Sequence, residues 1–369
     1  MARKKSGFKK FITSRGFRLI LILVLAVLAV IGGVCVINNL KEVVSVTYMD
    51  ELAGDDFVFN GNGIITYQNG YFNYYDLKSE KKNKSEYIGA ADDQVRIAAG
   101  SEIEIVYTDI SFRIVRLKRN IEVDGIIEGC SCGENFAAFY ILGMNGNHRI
   151  EIYNASGDLL RSKEYPSSVI TSFGFESYDS NVFYTAELMT VGQDLTTTIT
   201  TYDLGRNSIN GLLSVQGMIV GKLFFTEKSI FAVGTKQLIR YDRITNKEIY
   251  RVLIYGYDCS SAAVSGSNVI FALTAAGTES PAVVKLLSVK ESDTASDTFV
   301  TVSIEPGSYF GMLNGKLYTI KGSCIRKYAS DGSIDGSTSI EGSIDAAYFL
   351  SDRYMLVHTE MGYRLLKAK

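Results

Sequence analysis

Three observations predict an all-β chain folded as an eight-bladed β-propeller behind one N-terminal transmembrane helix. One apolar strand run recurs eight times at regular spacing. A second strand marker follows each run by about ten residues. A spare strand stands near the N-terminus, where the last unit lacks one.

The N-terminal element is a basic tail, residues 1–18, with Arg3, Lys4, Lys5, Lys9, Lys10, Arg15 and Arg18 and no acid. Residues 19–37, from Leu19 to Ile37, carry no charge. At about 1.5 Å per residue such a stretch crosses a bilayer core of roughly 30 Å. A cleaved signal peptide has a shorter apolar region and a small-x-small site, which Ile31-Gly32-Gly33-Val34 fits poorly. A lipoprotein signal needs a small residue before its cysteine, and Val34 precedes Cys35. A retained signal anchor is therefore expected, with the basic tail cytoplasmic and the body extracytoplasmic. Residues 38–42 form a short linker, and 43–369 form the propeller.

The whole chain has 38 Lys and Arg against 40 Asp and Glu, so the part after residue 18 has 31 against 40. An acidic body argues against nucleic acid as a partner, because that binding rests on basic side chains. The same balance argues against docking of the body on anionic lipid. Beyond Lys41, helical periodicity gives way to β-branched and aromatic runs broken by Gly, Asn, Asp and Ser, the signature of strands and turns.

The first apolar positions of the eight runs are Ile64, Ile103, Phe136, Val182, Ile230, Val269, Leu317 and Tyr354. Seven intervals separate Ile64 from Tyr354, about 41 residues each, the period of a propeller blade. These runs are read as strand B. Strand C ends in Tyr75-Asp76, Tyr153-Asn154, Tyr202-Asp203, Tyr241-Asp242 and Tyr328, with Leu117, Leu287 and Leu366 holding that place elsewhere. Asn69-Gly70 and Asn314-Gly315 are hairpin turns, since both residues accept positive φ. The Leu117 and Leu287 units are the least regular, and a seven-bladed ring is the alternative. The eighth unit supplies strands A, B and C and then ends. The spare strand, Glu42 to Tyr48, is expected to be its strand D, which closes the ring and hides an edge.

That closure orients the disc. Strand D begins on the face carrying the A–B and C–D loops, and a linker of a few residues cannot reach round the disc. The C–D face is expected to look at the membrane, and the D–A and B–C loops to look away. The outward loops supply the candidate binding residues Asp92, Asp93, Asn145, His148, Asp194, Tyr257, Asp258 and Glu279. Loops on a rigid scaffold often carry function.

No catalytic residues are assigned. His148 and His358 stand alone in their units, with no partner motif for a nucleophilic triad. Asp55-Asp56 and Asp92-Asp93 are visible pairs, but neighbours on a strand face opposite ways. Cys130-Ser131-Cys132 lacks the spacing and further ligands of a zinc site and reads as small buried residues near a loop. Cofactors and metal are expected to be absent. Asn83 and Asn154 match glycosylation acceptors, which matter only in a eukaryotic secretory host.

The repeat form resembles the WD40-like, YVTN and quinoprotein-like propeller superfamilies over residues 42–369. The basic tail, anchor and propeller without tryptophan look most like the bacterial membrane-anchored family called domain of unknown function 5711. WD40 repeats carry Trp-Asp, and quinoproteins carry a tryptophan docking motif in each blade. This chain has neither, so the resemblance implies a propeller scaffold and no quinone cofactor. The expected function is a non-catalytic module at the cell envelope, held in the membrane by one helix, that binds a protein or polymer. The alternatives are a carboxylate-dependent enzyme on cell-wall glycan or another polymer, and a single-pass sensor with a cytoplasmic partner.

Overall fold

Among the described residues of a computed structural model, thirty-two strands, β1 to β32 in chain order, make up almost all the regular structure. The structure describes residues 42–49, 52, 54, 56–79, 82–89, 95–292 and 297–369, together with Val24. The tail, the proposed anchor apart from Val24, and Asp55, Asp92 and Asp93 lie outside the described residues. Among the described residues no helix is long and apolar enough to cross a membrane.

The strands form eight four-stranded antiparallel sheets, so the ring has eight blades and not seven. Blade one holds β2–β5 (57–87), blade two β6–β9 (96–122), blade three β10–β13 (126–165) and blade four β14–β17 (169–216). Blade five holds β18–β21 (220–253), blade six β22–β25 (257–303) and blade seven β26–β29 (309–339). Each is a meander in which A, B, C and D follow the chain order. The two irregular units resolve differently. Leu287 lies inside strand C of blade six, β24 (Val283–Lys290), and that blade is regular. Leu117 instead ends a 3₁₀ turn, Val115–Leu117, after the short β8 (Ser111–Ile114).

Blade eight holds β30 (Ile344–Phe349), β31 (Tyr354–Thr359), β32 (Gly362–Ala368) and, as its outer strand, β1 (Val44–Met49). The register runs antiparallel from Val44 opposite Ala368 to Met49 opposite Tyr363. The spare N-terminal strand therefore closes the ring. Val43 extends the clasp: its N–H donates to Thr338 Oγ1 at 2.8 Å, and its carbonyl accepts from Lys369 N at 3.0 Å. Lys369 Nζ also meets Glu42 Oε2 at 2.6 Å.

The core is a set of eight apolar clusters, one at each seam between neighbouring blades. Alternation along each strand makes this possible, because every blade is covered on both faces. Phe112 of blade two stacks on Phe139 of blade three with centroids 4.2 Å apart. Phe231 of blade five meets Phe271 of blade six at 5.3 Å. At the closing seam Phe57 of blade one sits edge-on to Tyr363 and Tyr348 of blade eight, at 4.9 and 5.2 Å. Asn69-Gly70 and Asn314-Gly315 turn with both residues at positive φ, as their hairpin chemistry requires.

Candidate binding face

Strand direction fixes which loops share a face. Strands A and C start at the face carrying the D–A and B–C loops, and strands B and D end there. On this face, blades three to six expose an arc of large apolar side chains. Met144 is 84 % exposed, Tyr255 76 % and Leu253 70 %, and Val169, Val191 and Leu195 continue the arc. Single exposed apolar residues need no explanation; several on one face make that face a candidate for contact with a partner. In sequence, exposure of an apolar loop residue carries no signal of its own, whereas polar loop residues stand out. Met144 and Tyr255 stood in the same loops as Asn145 and Tyr257.

The polar candidates lie on this face too, spread over three blades. Asn145 holds the B–C turn of blade three, its Oδ1 accepting from Asn147 N at 3.0 Å. His148 opens strand C of that blade, and Asp194 opens strand C of blade four, where it is exposed. Tyr257 and Asp258 open strand A of blade six. Lys285 Nζ lies 4.3 Å from the Tyr257 centroid, and Asp258 Oδ2 accepts from Gly277 N at 3.4 Å. Glu279 is exposed in the neighbouring B–C loop. Among the described residues no hydrogen bond or ion pair joins one blade's candidates to another's. The set is a dispersed surface rather than a single pocket.

Nearer the axis, this face has a feature the sequence did not reveal. In blades three, four, five, six and eight the pairing of strands A and B slips by one residue, at positions 128, 171, 221, 260 and 345. A bulge of this kind frees backbone groups and re-aims a side chain. The freed carbonyls receive donors from the blade before. Arg96 Nη2 donates to Ile127 O at 2.8 Å, Thr171 Oγ1 to Val220 O at 2.6 Å, and Lys222 Nζ to Cys259 O at 2.6 Å. Tyr309 likewise donates to Asp345 O. Side chains thus tie blade two to three, four to five, five to six and seven to eight around the inner rim.

Two bulge residues are acids, and each meets a histidine. Glu128 Oε2 lies 3.1 Å from His148 Nε2, and the His148 ring stacks on Tyr140 with centroids 4.8 Å apart. Asp345 Oδ1 lies 2.7 Å from His358 Nδ1, and that ring packs on Tyr363 at 4.6 Å. Neither histidine is isolated, contrary to its appearance in sequence. Burial, and then the Glu128 carboxylate, push the Tyr140 phenol up. Arg96 holds a third acid, Asp109, at 2.7 Å. Cys130 and Cys132 belong to strand A of blade three, β10 (Ile126–Cys132), where Cys132 borders the A–B loop. Burial pushes the Cys130 thiol well up, which keeps it protonated and unreactive.

At the opposite end, the A–B loop of blade four crosses toward the other side of the ring. The Tyr178 ring lies edge-on to Phe59 of blade one at 5.7 Å, and its carbonyl accepts from Ser101 N of blade two at 2.8 Å. A Cβ on Gly61 would fall 2.0 Å from the Tyr178 ring, so only glycine permits that approach. The same loop is fixed outward by Glu176, which meets Arg243 of blade five at 2.5 Å.

Eight closed blades place the fold among known ones. The chain has a WD40-like β-propeller fold. The computationally designed Ika8 protein superposes with a TM-score of 0.53 at 11% identity, covering 89% of this chain and 97% of that one. The WD40 domain of SCAP from fission yeast gives a TM-score of 0.54 at 10% identity, covering 89% of this chain and 92% of that one. At these identities the likeness concerns the fold alone. No family model matches the propeller chain, and no curated protein matches it.

Proposed function

We propose that this propeller is a non-catalytic binding or assembly module, anchored in the membrane by residues 19–37, that presents its D–A and B–C loops to a protein partner outside the cytoplasm. A WD40-like propeller is a scaffold consistent with protein binding. The observation that carries the proposal is the apolar arc from Met144 to Tyr255. A surface of this kind costs free energy in water and gains it on burial against a partner, at about 25 cal/mol per Å². The non-catalytic part draws support from the rim acids: Glu128, Asp345 and Asp109 are each held by a basic or imidazole partner. In this reading the chain belongs with the bacterial membrane-anchored propellers of the domain of unknown function 5711 family.

A photo-crosslinking amino acid placed at Met144 in intact cells tests the proposal. A discrete adduct is expected there and not at Ile244, an exposed apolar residue in a C–D loop of blade five. Tyr255→Asp on the same face should abolish the adduct. Equal labelling from Met144 and Ile244, or none from Met144, would overturn it.

A further inference from the structure

A groove of about 600 Å³ opens at the seam where blade eight meets blade one. That volume lies within the usual range for small-molecule sites, about 300–1,000 Å³. One wall is the face of blade eight, with Ser45 and Thr47 of β1 and Lys367 of β32; the other is the C–D loop of blade one, with Lys78 and Ser79. Leu52 and Leu365 give it an apolar floor.

Two lysines stand among the groove's described lining residues. Lys78 and Lys367 are exposed, and neither forms a salt bridge among the described residues. The one acid among the described lining residues, Asp76, is turned to its own loop, its Oδ1 accepting from Lys78 N at 2.9 Å and Ser79 N at 2.8 Å. Lys82 adds a further positive charge beside Asp76.

We infer that the groove binds an organic phosphate. The anion sits between the Lys78 and Lys367 ammonium groups, with the Ser45, Thr47 and Ser79 hydroxyls as neutral donors. Lysine serves well as such a point charge for phosphate. A bare anion would leave most of the volume empty, so the ligand carries an organic body that packs on the leucine floor. A phospholipid headgroup and a soluble phosphate ester share this chemistry. The inference does not depend on what the opposite face binds.

Calorimetric titration of the full chain in neutral detergent tests it. The probes are glycerol 1-phosphate and short-chain phosphatidylglycerol, with short-chain phosphatidylcholine as the zwitterionic control. Binding of glycerol 1-phosphate identifies a soluble-ester site; binding of phosphatidylglycerol alone identifies a headgroup site. In either case Lys78→Gln and Lys367→Gln should each weaken binding at least about fivefold, and Lys236→Gln, in a B–C loop of blade five, should leave it unchanged. Both lysines are exposed, so a thermal melt matching that of the unaltered chain separates loss of binding from loss of fold. No binding of either phosphate, or affinities unmoved by both groove substitutions, would overturn the inference.

Discussion

Glu104 shows how a single residue can be poised against the fold. It opens strand B of blade two, β7 (Glu104–Tyr107), beside the buried Ile103 and Ile105. Burial raises its carboxyl above the ordinary 4.5, and the opposing pull of Lys84 and Arg116 is smaller. A raised acid pKa means that the fold prefers the protonated form. Stability from this group is fully present below about pH 4.5 and is lost as pH rises through the raised folded value. Glu104→Gln keeps the shape and removes the charge. It should raise the melting midpoint by about 1–2 °C at pH 7, a shift of the size that modest free-energy changes give in a large domain. The gain should vanish below pH 4, and melts across that range check it. A variant less stable at pH 7 than the parent would refute the account. Such a residue could not be picked from sequence, where Glu102-Ile103-Glu104-Ile105 reads as plain alternation and either acid could be the buried one.

The strands themselves were legible because each carries its own periodic signal. Every B run named in sequence is a B strand, and Asn-Gly marked two turns correctly. What stayed hidden were the features that depend on a distant partner. The bulge at Glu128 is a register slip, and register is decided between strands, not within one. Nothing local in Ser177-Tyr178-Asp179 signals that the Tyr178 ring packs against Phe59 and Gly61, more than a hundred residues away in the chain. The closing strand was legible for the opposite reason. Its absence from one end of the chain and surplus at the other can be counted. That strand also gives a prediction at this scale. A chain starting at residue 42 should be a monomer that melts cooperatively. A chain starting at residue 50 lacks β1, which uncovers the edge of β32 and strips Val43 and Val44 from the seam between blades seven and eight. It should self-associate, as unpaired edges do. Sedimentation of the two chains checks this, and a peptide of residues 42–49 should restore the monomer. A monomeric, fully stable 50–369 chain would show that β1 is dispensable.

At the scale of the whole molecule, the two faces of the disc differ. One carries the apolar arc, the bulged inner rim and all six described candidate residues. The other carries the Tyr178 crossing, the basic groove and the start of β1, where the chain arrives from residues 1–41. If those residues hold the membrane helix, the position of Val44 forces the second face toward the lipid, because the few intervening residues span too little distance to reach round a disc. The apolar arc then points away, where a partner can approach it, and the groove lies on the side where phospholipid headgroups are densest. Cysteines introduced singly at Asn145 and Ile244 distinguish the two orientations in intact cells. Both positions are exposed, one on a B–C loop and one on a C–D loop. A bulky membrane-impermeant maleimide should label Asn145→Cys faster than Ile244→Cys, and solubilisation in detergent should bring the two rates together. Faster labelling at 244 in cells would invert the disc, and no labelling of either before lysis would put the propeller on the cytoplasmic side.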